Sequence, residues 1–300
     1  MKMMTDLYPT RLSQAPQMFA RRDPVMHAEP EQRDAGPLSR AEVERFERDG
    51  FLAFDRFFGE DEIAEKRDEL HRLREVEADS DRPEVIKEPE SNSVRSIFQV
   101  HKTNAIFRAL ARDRRLVEIM QQLLGGQVYV NQSRINFKPG FTGKEFYWHS
   151  DFETWHAEDG MPRMRAISVN IALTENTPHN GPLMLIPGSH KWFVPCIGKQ
   201  PEAHYQSSLK RQKYGVPDRE SLTRLYQEGG IVAPTGGPGS VVLFECNTMH
   251  ASNSNITPLP RTNAFMVYNA VANALTEPYA ADKRRPEFLA ERDAEPIVPQ

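Results

Sequence analysis

Two residues apart in the run Phe146-Tyr-Trp-His-Ser-Asp-Phe-Glu-Thr-Trp-His-Ala-Glu-Asp-Gly-Met-Pro162 stand His149 and Asp151. Strand side chains alternate between faces with period 2, so on a strand this spacing points an imidazole and a carboxylate the same way. Such a pair can take two adjacent positions on a metal. One further imidazole would complete the 2-His-1-carboxylate set that leaves open positions on a non-haem Fe(II). The pair is therefore expected on one strand, and the third ligand on a distant element that returns to the same place.

His250 is the best candidate for that ligand. It follows the run Ser240-Val-Val-Leu-Phe-Glu-Cys-Asn-Thr-Met249, which predicts a strand ending just before it. Among the nine histidines, His156 lies in an acidic stretch with Glu158 and Asp159 and reads as a surface or outer-shell residue. His190 closes Ile186-Pro-Gly-Ser-His, a strand followed by a tight turn, where a structural role is favoured; His101, His179 and His204 have no partner at useful spacing. Iron held by two neutral imidazoles and one carboxylate keeps positive charge and suits a dianionic chelating co-substrate such as 2-oxoglutarate, with O2 as second co-substrate. The distal carboxylate of 2-oxoglutarate wants an arginine fork. Arg261, eleven residues beyond His250, is placed to provide it, with the Ser252 hydroxyl beside it.

The elements that must position these residues change in texture along the chain. Residues 1–37 are rich in Pro, Arg, Asp and Gln without a sustained period and are expected as an arm over the surface. Residues 38–126 are mainly helical. Ser39 and Glu42 form a capping-box pattern for a helix to about Arg48, ended by Gly50. A short strand Phe51–Phe54, a helix at about Glu60–Val76 and a charged loop Glu77–Ser93 follow, then one helix at about Thr103–Leu124 stopped by Gly125-Gly126. From residue 127 to 275, runs rich in β-branched and aromatic residues predict strands at Val128–Phe137, Met164–Leu173, Leu183–Ile186, Ser240–Cys246 and Asn263–Val271. A polar insertion, 201–228, interrupts them, with a helix expected at Asp218–Gln227, and 276–300 form a C-terminal tail. Helices first and strands after give an α+β chain whose strands close into a barrel or sandwich.

Bulk properties narrow the function classes. A net charge of −4 carries no basic footprint of a nucleic-acid binder. No apolar run approaches a membrane span, and Met1–Ala20 lacks the apolar core of a secretory signal. With only Cys196 and Cys246, reduced thiols in a cytoplasmic protein are expected.

Together, His149-Ser-Asp151, Asn180-Gly-Pro-Leu183 with Ile186-Pro-Gly-Ser-His190, and His250 with Arg261 resemble the phytanoyl-CoA dioxygenase superfamily of Fe(II)/2-oxoglutarate oxygenases. The extended block Phe146–Pro162, Asn131-Gln-Ser-Arg-Ile-Asn-Phe-Lys-Pro-Gly140 and Asp6-Leu-Tyr-Pro-Thr-Arg11 are similar to the ectoine-hydroxylating branch of that superfamily. This resemblance implies one oxygenase domain with a double-stranded β-helix (jelly-roll) core and surrounding helices. It implies hydroxylation of ectoine to 5-hydroxyectoine with release of succinate and CO2, a step in making a compatible solute. Either Asn136 or Lys138 would contact 2-oxoglutarate, with Trp148, Ser252 and Arg261. Ectoine carries a ring amidinium and a carboxylate, so its pocket wants an aromatic face and a cation. Gln132, Phe152, Thr154, Trp155 and Phe244 are the implied wall. Arg285, preferred over Arg284, is implied for the carboxylate, on a tail that closes over the substrate. In the strand at 128–137, Gln132, Arg134, Asn136 and Lys138 share a face opposite Ile135 and Phe137. The alternatives are a related hydroxylase of another small zwitterion such as proline, and a non-catalytic jelly-roll binding protein. A homodimer is compatible with the open faces of such a barrel.

Overall fold

A computed structural model of the chain describes residues 5–12, 17–88, 91–198, 205 and 215–300. After a short strand β1 (Phe19–Ala20) and helix α1 (Pro30–Asp34) comes α2 (Arg40–Asp49), opened by the expected capping box. The Ser39 side chain accepts from the Glu42 N–H, and the Glu42 carboxylate accepts from the Ser39 N–H at 2.8 Å. Gly50, at φ 81°, ends the helix in the left-handed region that glycine enters without penalty. Strand β2 (Phe51–Phe54) and helix α3 (Glu60–Val76) follow, α3 burying Ile63, Leu70 and Leu73.

The single helix expected at about Thr103–Leu124 is three helices, α4 (Val100–Thr103), α5 (Ala105–Ala111) and α6 (Arg114–Leu124). Asn104 is extended, and its side chain accepts from the N–H groups of Ile106 and Phe107; Asp113 accepts from Arg115 N–H. Asn and Asp side chains compete with the helical backbone in this way, which breaks a run whose apolar periodicity looks continuous. The break also turns the buried face, so that Phe107 rather than Ile106 is fully enclosed. The loop expected at Glu77–Ser93 contains β3 (Val85–Lys87), and β4 (Val94–Phe98) follows it; with β2, these strands make the mainly helical part a contributor to the sheet.

Strand β5 (Val128–Lys138) begins the rest of the sandwich. Next come β6 (Phe146–His149), the short helix α7 (Asp151–Thr154), β7 (Ala166–Ala172), β8 (Leu183–Leu185) and β9 (Trp192–Phe193). Beyond a helix at Arg219–Gly229 lie β10 (Val241–Glu245), β11 (His250–Ser252) and β12 (Arg261–Ala270). That helix matches the one expected near Asp218; most of the expected insertion upstream of it, His204 included, lies outside the described residues.

Seven antiparallel strands form the large sheet in the order β2-β10-β7-β12-β5-β4-β3, and three form a small sheet, β6-β11-β8. Alternation assigns the two faces of the large sheet. Ile167, Val169, Ile171, Leu243, Ala264, Met266, Ile135 and Phe137 join one cluster with the helical Val117, Met120 and Leu123. From the opposite face Val242, Phe244 and Phe265 meet Leu183 and Leu185 of the small sheet. Two antiparallel sheets face to face with helices on the outer side are the expected α+β jelly roll.

The N-terminal arm is more than a surface strap. Tyr8 is fully buried and donates its hydroxyl to Asp23 at 2.9 Å; β1 pairs with β9; Arg21 makes a buried ion pair with Glu245 at 2.8 Å. These anchors are single polar contacts rather than a repeating apolar pattern, so periodicity misses them. The tail also packs, with Glu291 and Ile297 N–H groups donating to the carbonyls of Asn131 and Val128. Among the described residues no helix is long and apolar enough to cross a membrane. Replacing the cap at the α4–α5 break, Asn104→Ala, is expected to lower stability by about 1–2 kcal/mol in urea denaturation, an effect absent if one continuous helix ran through this point.

Candidate active site

Strand β6 lies beside β11 with His149 directly opposite His250, their ring centroids 4.2 Å apart. Asp151 is not on that strand, contrary to the period-2 expectation. The chain leaves β6 at Ser150, whose hydroxyl caps the next turn by accepting from Glu153 N–H, and Asp151 opens α7. That turn swings the carboxylate back, so Asp151 Oδ1 stands 3.8 Å from His149 Nε2 and 3.8 Å from His250 Nε2. His250 likewise opens β11 rather than following directly on a strand, since β10 stops at Glu245.

Hydrogen bonds behind the three groups set their chemistry. His149 Nδ1 contacts the Tyr147 carbonyl at 2.6 Å, and His250 Nδ1 contacts the Thr248 carbonyl at 3.0 Å. A carbonyl only accepts, so each Nδ1 carries the proton and each Nε2 presents a lone pair toward Asp151. Ser168 donates to Asp151 Oδ2 at 3.2 Å, leaving Oδ1 for a metal. Burial, then the neighbouring His250, pushes the His149 pKa down to about 4, so this imidazole is neutral near pH 7. The ligand atoms of all three residues lie within 4.8 Å of one another. Two imidazoles and one carboxylate oxygen, with second partners fixing tautomer and orientation, fit a facial Fe(II) site.

The cluster borders a cavity between the two sheets. The β5–β12 register orders its sheet-side wall in rungs: Lys138 opposite Arg261, Asn136 opposite Asn263, Arg134 opposite Phe265, Gln132 opposite Val267. Arg261 is 2% exposed, and among the described residues no carboxylate lies within ion-pair distance of it. Its Nε has no hydrogen-bond partner. Burial and the nearby Arg95 bring its pKa down to about 10, which leaves it charged near pH 7. A buried guanidinium without an anion is the feature a dianionic co-substrate completes. Ser252 and Asn136 line the cavity with it. Lys138 does not: its Nζ donates to Ser252 Oγ at 2.8 Å and to the Asn253 carbonyl, from behind Ser252.

Thr154, Trp155, Gln132 and Arg285 also line the cavity. Gln132 donates to the Leu289 carbonyl and accepts from Arg134. Arg285 reaches the cavity with its Nε on Asp159 Oδ1 at 3.0 Å and its Nη2 on the other oxygen, so most of its fork is engaged; Arg284 instead pairs with Glu277 near the surface. Three expected contacts are not on the cavity wall. Phe152 is fully buried against Tyr8 and His156, one helical step away from the face that Asp151 and Trp155 share. Trp148 falls on the opposite face of β6 from His149 and packs beside Ile186, Val194 and Met249. Phe244 sits 4.8 Å from the His250 ring, backing the ligand rather than facing the space. His156 is fully buried, stacked on Tyr279 at 4.0 Å and bonded to Asp6 at 3.0 Å. His190 packs over Gly50 as a structural histidine.

Sequence reasoning gave no role to Ser168, Phe265 or Arg134. Arg134 lines the cavity and stacks its guanidinium 4.8 Å from the Phe265 centroid. The available signal was alternation: Arg134 lies between Gln132 and Asn136 on one face, and Ser168 is a polar inward position between Ile167 and Val169.

Residues 46–263 match the family model described as phytanoyl-CoA dioxygenase (PhyH). The chain belongs to the phytanoyl-CoA dioxygenase family. Within that family it is 53% identical to the ectoine dioxygenase of Sphingopyxis alaskensis over 96% of this chain and 94% of the relative. It is 51% identical to the ectoine dioxygenase of Halomonas elongata, covering 98% and 88% of the two chains. The crystal structure of EctD from S. alaskensis with 2-oxoglutarate and 5-hydroxyectoine aligns with a TM-score of 0.89 at 48% identity, over 99% of this chain and 98% of that one.

If Ser168 orients the carboxylate ligand, Ser168→Ala weakens Fe(II) binding by about 10-fold or more in anaerobic titration, whereas Asp151→Ala abolishes specific binding. Unchanged affinity in both variants would remove Asp151 from the ligand set.

Proposed function

We propose that this phytanoyl-CoA dioxygenase family member hydroxylates ectoine to 5-hydroxyectoine, converting 2-oxoglutarate and O2 to succinate and CO2. The observation that carries the reading is the pairing, on one cavity, of the His149–Asp151–His250 cluster with the anion-free Arg261, in a chain about half identical along its length to ectoine dioxygenases. Bound Fe(II) would activate O2, the oxidant for C–H hydroxylation, with 2-oxoglutarate giving two electrons as it becomes succinate and CO2; the chain's own residues bind, orient and exclude water.

His149, Asp151 and His250 would hold the iron. Arg261 and Ser252 take the distal carboxylate of 2-oxoglutarate, with Asn136 on the next rung. Lys138 fixes the Ser252 hydroxyl from behind. Trp155 and Phe265 offer aromatic faces to the ectoine amidinium, and Thr154 and Gln132 offer hydrogen-bonding groups. Arg285, with Arg134 as the second cavity cation, receives the ectoine carboxylate. Leu183 and Leu289 contribute apolar surface that keeps water from the reacting carbon. Cys196 and Cys246 are free and buried, which suits a cytoplasmic enzyme in a reducing compartment.

Anaerobic reconstitution with Fe(II) and 2-oxoglutarate, then addition of O2 and ectoine, is expected to give ectoine plus one oxygen atom, with one succinate per product by mass spectrometry. Turnover of proline but not ectoine would overturn the substrate. Arg261→Gln is expected to raise the KM for 2-oxoglutarate about 10- to 100-fold, as a charge-assisted hydrogen bond contributes about 1.5–3 kcal/mol. The KM for ectoine should move far less.

A further inference from the structure

Arg11 has no part in the site described above, yet it is held with unusual force. Its φ of 58° is in the left-handed region, which is strained for a non-glycine residue. Its N–H donates to the Cys196 carbonyl at 2.9 Å, and the neighbouring Thr10 hydroxyl accepts from Cys196 N–H and donates to Glu153 at 2.6 Å. The Arg11 guanidinium is buried. It reaches Glu153 through Nε and Nη2, the latter at 2.8 Å, and Glu158 through Nη2 at 3.1 Å. Glu158 also stands 3.6 Å from Arg285, whose fork lies on Asp159.

Three buried carboxylates therefore crowd one short stretch, 153–159, and two arginines from opposite ends of the chain hold them. Between them, Thr154 and Trp155 face the cavity, and Trp155–Asp159 form a π-turn, a wide helical turn that is rare and marks functional sites. The tail closes the far side, with Tyr279 stacked on His156 and the N–H groups of Ala280 and Ala281 on the Ala157 carbonyl. Asp151 shares helix α7 with Glu153 but has further anchors outside this network. Ser168 holds Asp151, and Phe152 N–H donates to the Cys246 carbonyl at 2.9 Å.

We propose that Arg11 is a positioning residue for the substrate: through Glu153 and Glu158 it fixes the turn that presents Trp155 and Thr154, and with it the orientation of Arg285, while leaving the metal and 2-oxoglutarate contacts alone. The substrate named here rests on the proposed ectoine activity. Arg11→Lys keeps the charge but loses the fork that spans two carboxylates. Thr10→Val removes the hydroxyl's two contacts, to Glu153 and from Cys196 N–H, but leaves the Arg11 fork in place, and serves where Arg11→Lys folds poorly. The expected result is a KM for ectoine raised about tenfold in Arg11→Lys and less in Thr10→Val, with the KM for 2-oxoglutarate and the visible absorption of the Fe(II)–2-oxoglutarate complex unchanged. Amide exchange of residues 154–160 should accelerate in both variants of the iron-loaded protein. Both KM values rising together, or neither moving, overturns the proposal. If the wild-type protein does not oxidise ectoine, the functional reading fails; unchanged exchange at 154–160 then overturns the positioning role, and faster exchange confined to that turn supports it.

Discussion

The pairing of His149 with His250 across β6 and β11 is the constraint on which the rest of the site depends. Directly opposed residues on antiparallel strands have Cβ atoms about 4.5–5.5 Å apart on one face, so two imidazoles meet without help from any loop. Asp151 nevertheless does not continue the strand. At about 3.3 Å of rise per residue, a same-face carboxylate two residues on would be offset by about 6.6 Å and would have to lean back to the shared centre. The chain turns between the two ligands instead, and Ser150 is suited to this because its hydroxyl caps the turn that follows. Same-face alternation thus gives the right residues for the wrong reason.

That break has consequences downstream. Once α7 replaces a strand, the chain after Asp151 turns along the cavity, which is why Trp155 faces it and Phe152 does not. It also leaves Glu153, Glu158 and Asp159 buried, where an unpaired carboxylate is costly. The two cavity walls end with opposite electrostatics. Arg261 and Lys138 stand on the large sheet without an ion-paired carboxylate among the described residues, and Arg95 is paired with Glu88 beside them. The carboxylates on the turn are matched by Arg11 and Arg285. A dianion is favoured at the sheet end, whereas the turn's carboxylates already have their cations.

Legibility in the sequence followed how local each cause is. The capping box of α2 and the apolar spacing of α3 are nearest-neighbour effects, and both helices lie where the residues placed them. Alternation grouped Gln132, Arg134 and Asn136 on one face of β5, and the family resemblance turned that face toward the cavity. Distant contacts were opaque. Nothing near Tyr8 announces its burial, and nothing near Arg285 shows that Asp159 takes its fork. The breaks at Asn104 and Asp113 were readable in principle, since both residue types favour caps, but seven apolar residues at helical spacing concealed them. Trp148 and Phe152, implied by the resemblance, point elsewhere for a local reason: next to a ligand on a strand a side chain takes the opposite face, and next to one on a helix it lies about 100° round.

The outcome is a site in two layers with different dependence on the chain. Its metal ligands and their orienting partners come from 147–168 and 248–250, within and beside the two sheets. The wall past Trp155 is complete only when the N-terminal arm and the C-terminal tail have both docked, because Arg11 and Arg285 neutralise the carboxylates that would otherwise be stranded. Closing contacts of such sequence separation carries a chain-entropy penalty that local contacts avoid. The metal cluster therefore rests mainly on local contacts, whereas the cavity wall past Trp155 rests on contacts of long sequence separation.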